Sequence, residues 1–234
     1  MNLKELVTKD SQSREFRYVV VEFDRKNEND LAVLNWVYNQ SKIISNQVNK
    51  SAANYAPHLR TNESIFGNCV AGLLAEKAWE YCINSYYQSN YVQATPYTGA
   101  NGQIDLIITN SKKKIEVRSS FARNGVNFAI SNPQHQFDIL GPYTNMIKPN
   151  EVEKDYYLRT IYEGLPSEFF EQIFNPRIVK VNLTGGATWD MMWKSGYALQ
   201  KSLKTEDSIQ EEKSNYQVLP FKHALDTISM LKLI

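Results

Sequence analysis

Cysteine is nearly absent. The 234 residues hold two, Cys69 and Cys82. They fall on faces of one expected helix that do not meet, so a disulfide framework is not expected. No cysteine and histidine cluster has zinc-ligand spacing. No apolar run reaches the roughly 18 residues that span a bilayer. Residues 1–5 lack the apolar stretch of a signal peptide. These absences lead to the expectation of a soluble, cytoplasmic protein. Charge of one sign is missing too: 26 Lys and Arg face 25 Asp and Glu, a net +1. No global field draws the chain to nucleic acid. Any basic surface is local, and the clearest excess is Lys112, Lys113 and Lys114 with Arg118 and Arg123. The chain has no internal repeat and no low-complexity tract.

What is present is length enough for one large domain with its own core and 14 tyrosines. Residues 17–23 are β-branched and read as a strand. Apolar residues at helical spacing, capped at Asn29 or Asp30, predict a helix over about 30–50. Residues 51–62 read as a connection. A second helix is expected over about 64–88, capped at Thr61 or Asn62. Its stripe of Cys69, Leu73, Trp79 and Ile83 includes Glu76, next to Gly72, where the helix can approach another element. A carboxylate on an apolar face is costly unless it is paired or holds a metal; the plainer reading is a glutamate at the stripe's edge that reaches water.

Residues 91–96 read as a strand and 97–102 as a glycine-rich approach. Residues 119–132, with Phe121, Val126, Phe128 and Ile130 alternating, suggest a strand or an extended loop. A short helix is expected at 134–140, then a break at Gly141 and Pro142. Strands follow at 156–162 and at 177–183, the second closed by Gly185 and Gly186. Helical spacing marks 166–174 and 188–193, residues 208–214 read as a charged loop, and a strand at 216–219 precedes a docking helix over 221–233. This order implies an α/β fold with a mixed sheet.

The most informative stretch is 102–120. Ile104, Leu106 and Ile108 alternate with Asp105, Ile107 and Thr109; after a polar turn, Ile115 and Val117 alternate with Glu116 and Arg118. That is a hairpin pattern. An even loop puts Asp105 opposite Arg118 and Ile107 opposite Glu116. Asp105, Glu116 and Arg118 then share one face, with the apolar residues on the other. Two carboxylates beside a cation suit a hard ion such as Mg²⁺. The alternative is an Asp105–Arg118 ion pair on a solvated face.

A helical glutamate, Glu76, then Gly102-Gln103-Ile104-Asp105 at the head of a strand, then Ile115-Glu116-Val117-Arg118 on its partner, resembles the PD-(D/E)xK nuclease superfamily. The resemblance covers roughly 64–120. It implies a restriction-endonuclease-like core, a mixed central sheet flanked by helices, over 63–200. Residues 1–62 would form an accessory strand and helix, and 201–234 would pack on the core. It further implies a metal-dependent endonuclease acting on DNA, type II restriction-like, using Mg²⁺ with Mn²⁺ able to substitute, and a possible homodimer. Asp105 and Glu116 would hold metal, Glu76 a metal or its water, and Arg118 would orient water and stabilise the phosphate. Gln134 and Gln136 follow as secondary candidates, because some members carry a glutamine on the next helix.

The chain departs from the family at two points. The proline before the aspartate is absent, and the family's lysine is Arg118, which cannot act as a general base. Lys113 and Lys114 lie in the turn, a long reach from that position. A catalytically impaired nuclease-fold protein that binds nucleic acid or a protein partner is the alternative, and a purely structural α/β domain is a third.

Overall fold

The computed structural model describes residues 1–48, 61–97, 103–133, 138–144, 151–166, 169, 173, 175–202 and 215–234. Strands β1 (Asn2–Lys9), β2 (Glu15–Asp24), β3 (Val92–Ala94), β4 (Leu106–Ile108), β5 (Lys114–Ala122), β6 (Ile139–Thr144), β7 (Tyr156–Glu163), β8 (Ile178–Thr188), β9 (Leu199–Ser202) and β10 (Asn215–Leu219) are joined by helices α1 (Glu28–Ser45), α2 (Asn62–Tyr87) and α3 (Gly125–Ser131). Short helices Trp189–Trp193 and Thr227–Leu231 are also among the described elements. The fold is α/β, with a mixed seven-stranded sheet ordered β1-β2-β8-β7-β5-β4-β3 and a separate three-stranded sheet ordered β6-β10-β9. Only β5 and β7 run parallel in the large sheet. Residues 2–24 supply two of its strands.

Strand alternation builds a core on each face. Val21, Phe23, Leu106, Ile115, Leu158 and Val181 face α1 and α2, where Leu74, Ala78 and Trp79 are fully buried. Phe16, Val20, Tyr157 and Ile161 face the other way, towards α3 and the small sheet. Thr61 caps α2 by accepting from the Ser64 N–H at 3.1 Å. The cap of α1 is Asn27, whose side chain accepts from Asp30 N–H, so that helix starts two to three residues earlier than expected.

Several expectations are corrected. Residues 125–131 form α3, because Val126, Ala129 and Ile130 make a buried helical stripe while Phe128 points outward. Ile139 and Leu140 begin a strand that runs through Gly141 and Pro142; neither the helix over 138–140 nor the break is there. Strand β8 continues through Gly185 and Gly186 instead of ending there. The C-terminal segment holds only a 3₁₀ turn at Phe221–His223 and the helix Thr227–Leu231. Strands β1 and β9 were not foreseen. The stretches 49–60, 98–102, 134–137 and 203–214 lie outside the described residues.

The two glycines of β8 are required. Gly185 has φ +80°, and a Cβ on it would sit 2.1 Å from Leu225 O; one on Gly186 would sit 2.3 Å from Tyr157 O. Their bareness lets Leu225 pair with Gly186 through two backbone hydrogen bonds. Gly186→Ala is therefore expected to destabilise by more than about 2 kcal/mol, checked by urea unfolding.

Candidate functional site

The site begins with the β4–β5 hairpin. Leu106 pairs with Ile115 and Ile107 with Lys114. The same register sets Asp105 opposite Glu116, not opposite Arg118. The loop length is even, as expected, so the faces hold: Leu106, Ile108, Ile115 and Val117 are buried towards α2, and Asp105, Glu116 and Arg118 share the opposite face. Lys112, with φ +59°, makes the tight turn that shifts the pairing by two residues.

Asp105 is 6 % exposed and Glu116 7 %. Asp105 Oδ2 accepts from Val117 N–H at 2.7 Å. Glu116 is held by two cations. Arg118 Nη2 lies 2.7 Å from its Oε1, and Lys154 Nζ lies 2.8 Å from its Oε2. Arg118 Nη2 also reaches Glu151 Oε1 at 2.8 Å. The Tyr143 N–H fixes Glu151 Oε2 at 2.9 Å, and the Tyr143 ring stands 5.1 Å from the guanidinium. The small sheet thus borders the charged face of the large one.

Lys154 was not legible as a site residue. It lies just before β7, whose parallel pairing sets Tyr157 beside Glu116. Its side chain is 1 % exposed, and an ammonium is rarely buried so fully without a partner. Glu151 was missed for the same reason: both come from a segment distant in sequence. The only available signal was a lysine and an acid set directly before a strongly apolar strand.

Glu76 comes from α2, which packs on the sheet, and its carboxyl feels the charges of Asp105 and Glu116. Protein surrounds its carboxyl closely, although the residue keeps an opening to a groove between α1, α2 and residues 94–97. Burial first, then the charges of Asp105 and Glu116, push its pKa well above the usual carboxylate range. Burial and Glu116 likewise push Asp105 up to about 8, against the Val117 hydrogen bond and the Arg118 and Lys154 charges. Asp105 and Glu116 are therefore near enough to Glu76 to oppose its ionisation, and Glu116 near enough to Asp105 to oppose its own. Gly72 does not serve close packing among the described residues: a Cβ there would meet none of them within 4 Å, and the position lines the groove.

Other candidates stand apart. Lys113 Nζ bonds to Tyr156 Oη at 3.2 Å, and the Lys114 N–H bonds to Asp155 Oδ2 at 2.8 Å. Among the described residues neither lysine is joined to Glu76, Asp105 or Glu116. Gln134 and Gln136 lie outside the described residues.

The donors suit a hard divalent ion in kind, since all are carboxylate oxygens. Their count of charge suits it as well. Glu76, Asp105, Glu116 and Glu151 face Arg118 and Lys154, while Lys77 is paired with Glu80 at 2.6 Å and Arg159 lies near Asp138. Four carboxylates against two cations leave an excess of negative charge, in keeping with the upward shifts of Glu76 and Asp105. Among the described residues no three acidic, histidine or cysteine side chains already converge as a ready-made metal cage. Asp105 and Glu76 are the groups left for a cation, with Glu116 engaged by its two partners.

No helix among the described residues is long and apolar enough to cross a membrane. No family model matches the chain, and no solved structure does. The chain is similar to an uncharacterised protein of Methanocaldococcus jannaschii, 25% identical over 264 aligned positions that span 97% of this chain and 89% of that protein.

Proposed function

We propose that the chain is a metal-dependent endonuclease that hydrolyses DNA phosphodiester bonds, a type II restriction-like enzyme with a restriction-endonuclease-like core. The observation that carries this reading is the carboxylate cluster at the β4–β5 hairpin, short of cations, with buried Lys154 on Glu116. Asp105 and Glu76 would hold Mg²⁺, or Mn²⁺ in its place. When bound, such an ion supplies positive charge against the phosphate and makes water a better nucleophile. Asp105 is fixed by the Val117 N–H, so its second oxygen is aimed without side-chain reorganisation. Lys154 and Arg118 hold Glu116 in place and put two positive charges where the phosphate gains negative charge. Lys154 can fill the part that the family's lysine plays, which Arg118 fills poorly because its guanidinium does not give up a proton. Cutting both strands of a duplex would take two such sites, hence a homodimer.

A second reading has one observation in its favour: both Glu116 oxygens are already engaged. A catalytically impaired protein that binds nucleic acid or a protein partner would look the same, and would show salt-sensitive DNA binding with no metal-dependent product. Incubation of DNA with Mg²⁺, Mn²⁺ or EDTA separates the two. Cleavage in either metal and none in EDTA is expected. A folded protein that cuts in none of the three leaves the binding reading, and equal cutting in EDTA rules out a metal enzyme.

A further inference from the structure

Glu76 belongs to two features at once. It is one of the clustered carboxylates, and it lines a groove of about 700 Å³ between α1, α2 and residues 94–97. That volume suits one or two flat rings. The described walls are mostly apolar. Trp36 is 41 % exposed and Ile43 51 %, and Leu73 and Tyr97 continue the lining. The amides of Gln40 and Gln47 border it. Among the described lining residues the one cation is Lys77, already bound to Glu80 and standing 4.7 Å over the Trp36 ring.

The described lining suits a base better than a phosphate backbone. Duplex DNA presents phosphates to cations and keeps its base faces stacked inside. Unpaired bases offer a flat face to an aromatic ring and polar edges to amides. The opening at Gly72 matters here, since any side chain at that position would occupy the groove.

We propose that this groove takes an unpaired nucleobase next to the scissile phosphate, so that the strand being cut has its bases splayed apart, either as single-stranded DNA or where a duplex is locally opened. This rests on the nuclease reading, because it is Glu76 that joins groove to site. Trp36 supplies the stacking surface, Gln40 and Gln47 meet the base edge, and the phosphate backbone passes outside towards Asp105.

The test is anisotropy of a labelled thymidine oligonucleotide of about twelve residues and of a duplex of equal length, measured in EDTA so that nothing is cut. The full chain is compared with Trp36→Ala and with Gly72→Phe, which fills the groove from a helical position with no described residue within 4 Å of its Cβ. Tighter binding of the single strand is expected, with each variant weakened at least about fivefold while its melting temperature holds. Equal or tighter binding of the duplex overturns the proposal. So does wild-type affinity in Gly72→Phe, which reads the groove even where Trp36→Ala is poorly folded. Cleavage with Mg²⁺ is assayed separately. A protein that cuts yet prefers duplex refutes the groove alone, and one that binds single strands yet never cuts refutes the nuclease reading alone.

Discussion

Lys154→Met is expected to slow DNA cleavage by about a hundred- to a thousandfold and to leave the protein folded. Methionine keeps the unbranched stem that fills the buried channel and removes only the ammonium. Glu116 keeps Arg118 at 2.7 Å, so it is not left as a lone buried charge. The stability cost is accordingly modest, about 2 kcal/mol, read by urea unfolding. The rate is read by single-turnover cleavage at fixed Mg²⁺. Arg118→Lys is the informative partner. It keeps a cation between Glu116 and Glu151, so cleavage within about tenfold of wild type is expected. The reverse pattern, with Lys154→Met active and Arg118→Lys dead, would assign the essential cation to Arg118 and remove Lys154 from the site.

The second large effect is on stability, and it couples pH to metal. Asp105 in the folded chain titrates at about 8 because burial and Glu116 disfavour its charge. In the unfolded chain it returns to about 4. A folded pKa above the unfolded one favours the protonated native state. Its contribution is complete below about pH 4 and is lost as pH rises through 8. Glu76 is shifted in the same direction, by burial first and then by the charge of Asp105. The metal-free protein therefore loses stability between about pH 5 and 8. A divalent ion displaces those protons, so its affinity rises with pH, by about tenfold per unit for one proton released. Melting curves with and without Mg²⁺ should show a larger upward shift at alkaline than at mildly acid pH. Asp105→Asn should flatten the metal-free pH dependence and abolish the shift. A shift of one size at every pH, or one retained in Asp105→Asn, contradicts the assignment of Asp105 as a ligand.

The hairpin was legible because period-two alternation states which residues share a face, and the faces of Asp105, Glu116 and Arg118 follow from it alone. Its register was not. A slip of two residues preserves every face, so only the turn geometry at Lys112 distinguishes Asp105 opposite Glu116 from Asp105 opposite Arg118. Glu76 was visible as a carboxylate in an apolar stripe. Close approach was not the reason for Gly72, since none of the described residues would meet a Cβ there. Helix α3 was hidden because Val126, Phe128 and Ile130 also fit an alternating pattern, and burial of Ala129 decides the period. Lys154 and Glu151 could not be read at all. Parallel pairing of β5 with β7 joins segments separated by a helix and a strand of another sheet, and no local spacing encodes that meeting.

The most direct test of the nuclease reading is cleavage of a mixed plasmid and phage DNA panel with Mg²⁺, methylated and unmethylated, single-stranded and duplex, by the wild-type chain beside Glu116→Ala. Removing Glu116 strips Arg118 and Lys154 of their shared partner and should abolish product entirely. Fragments from the wild type and none from the variant are the expected result; cutting that is equal in both, or absent from both folded proteins, contradicts it.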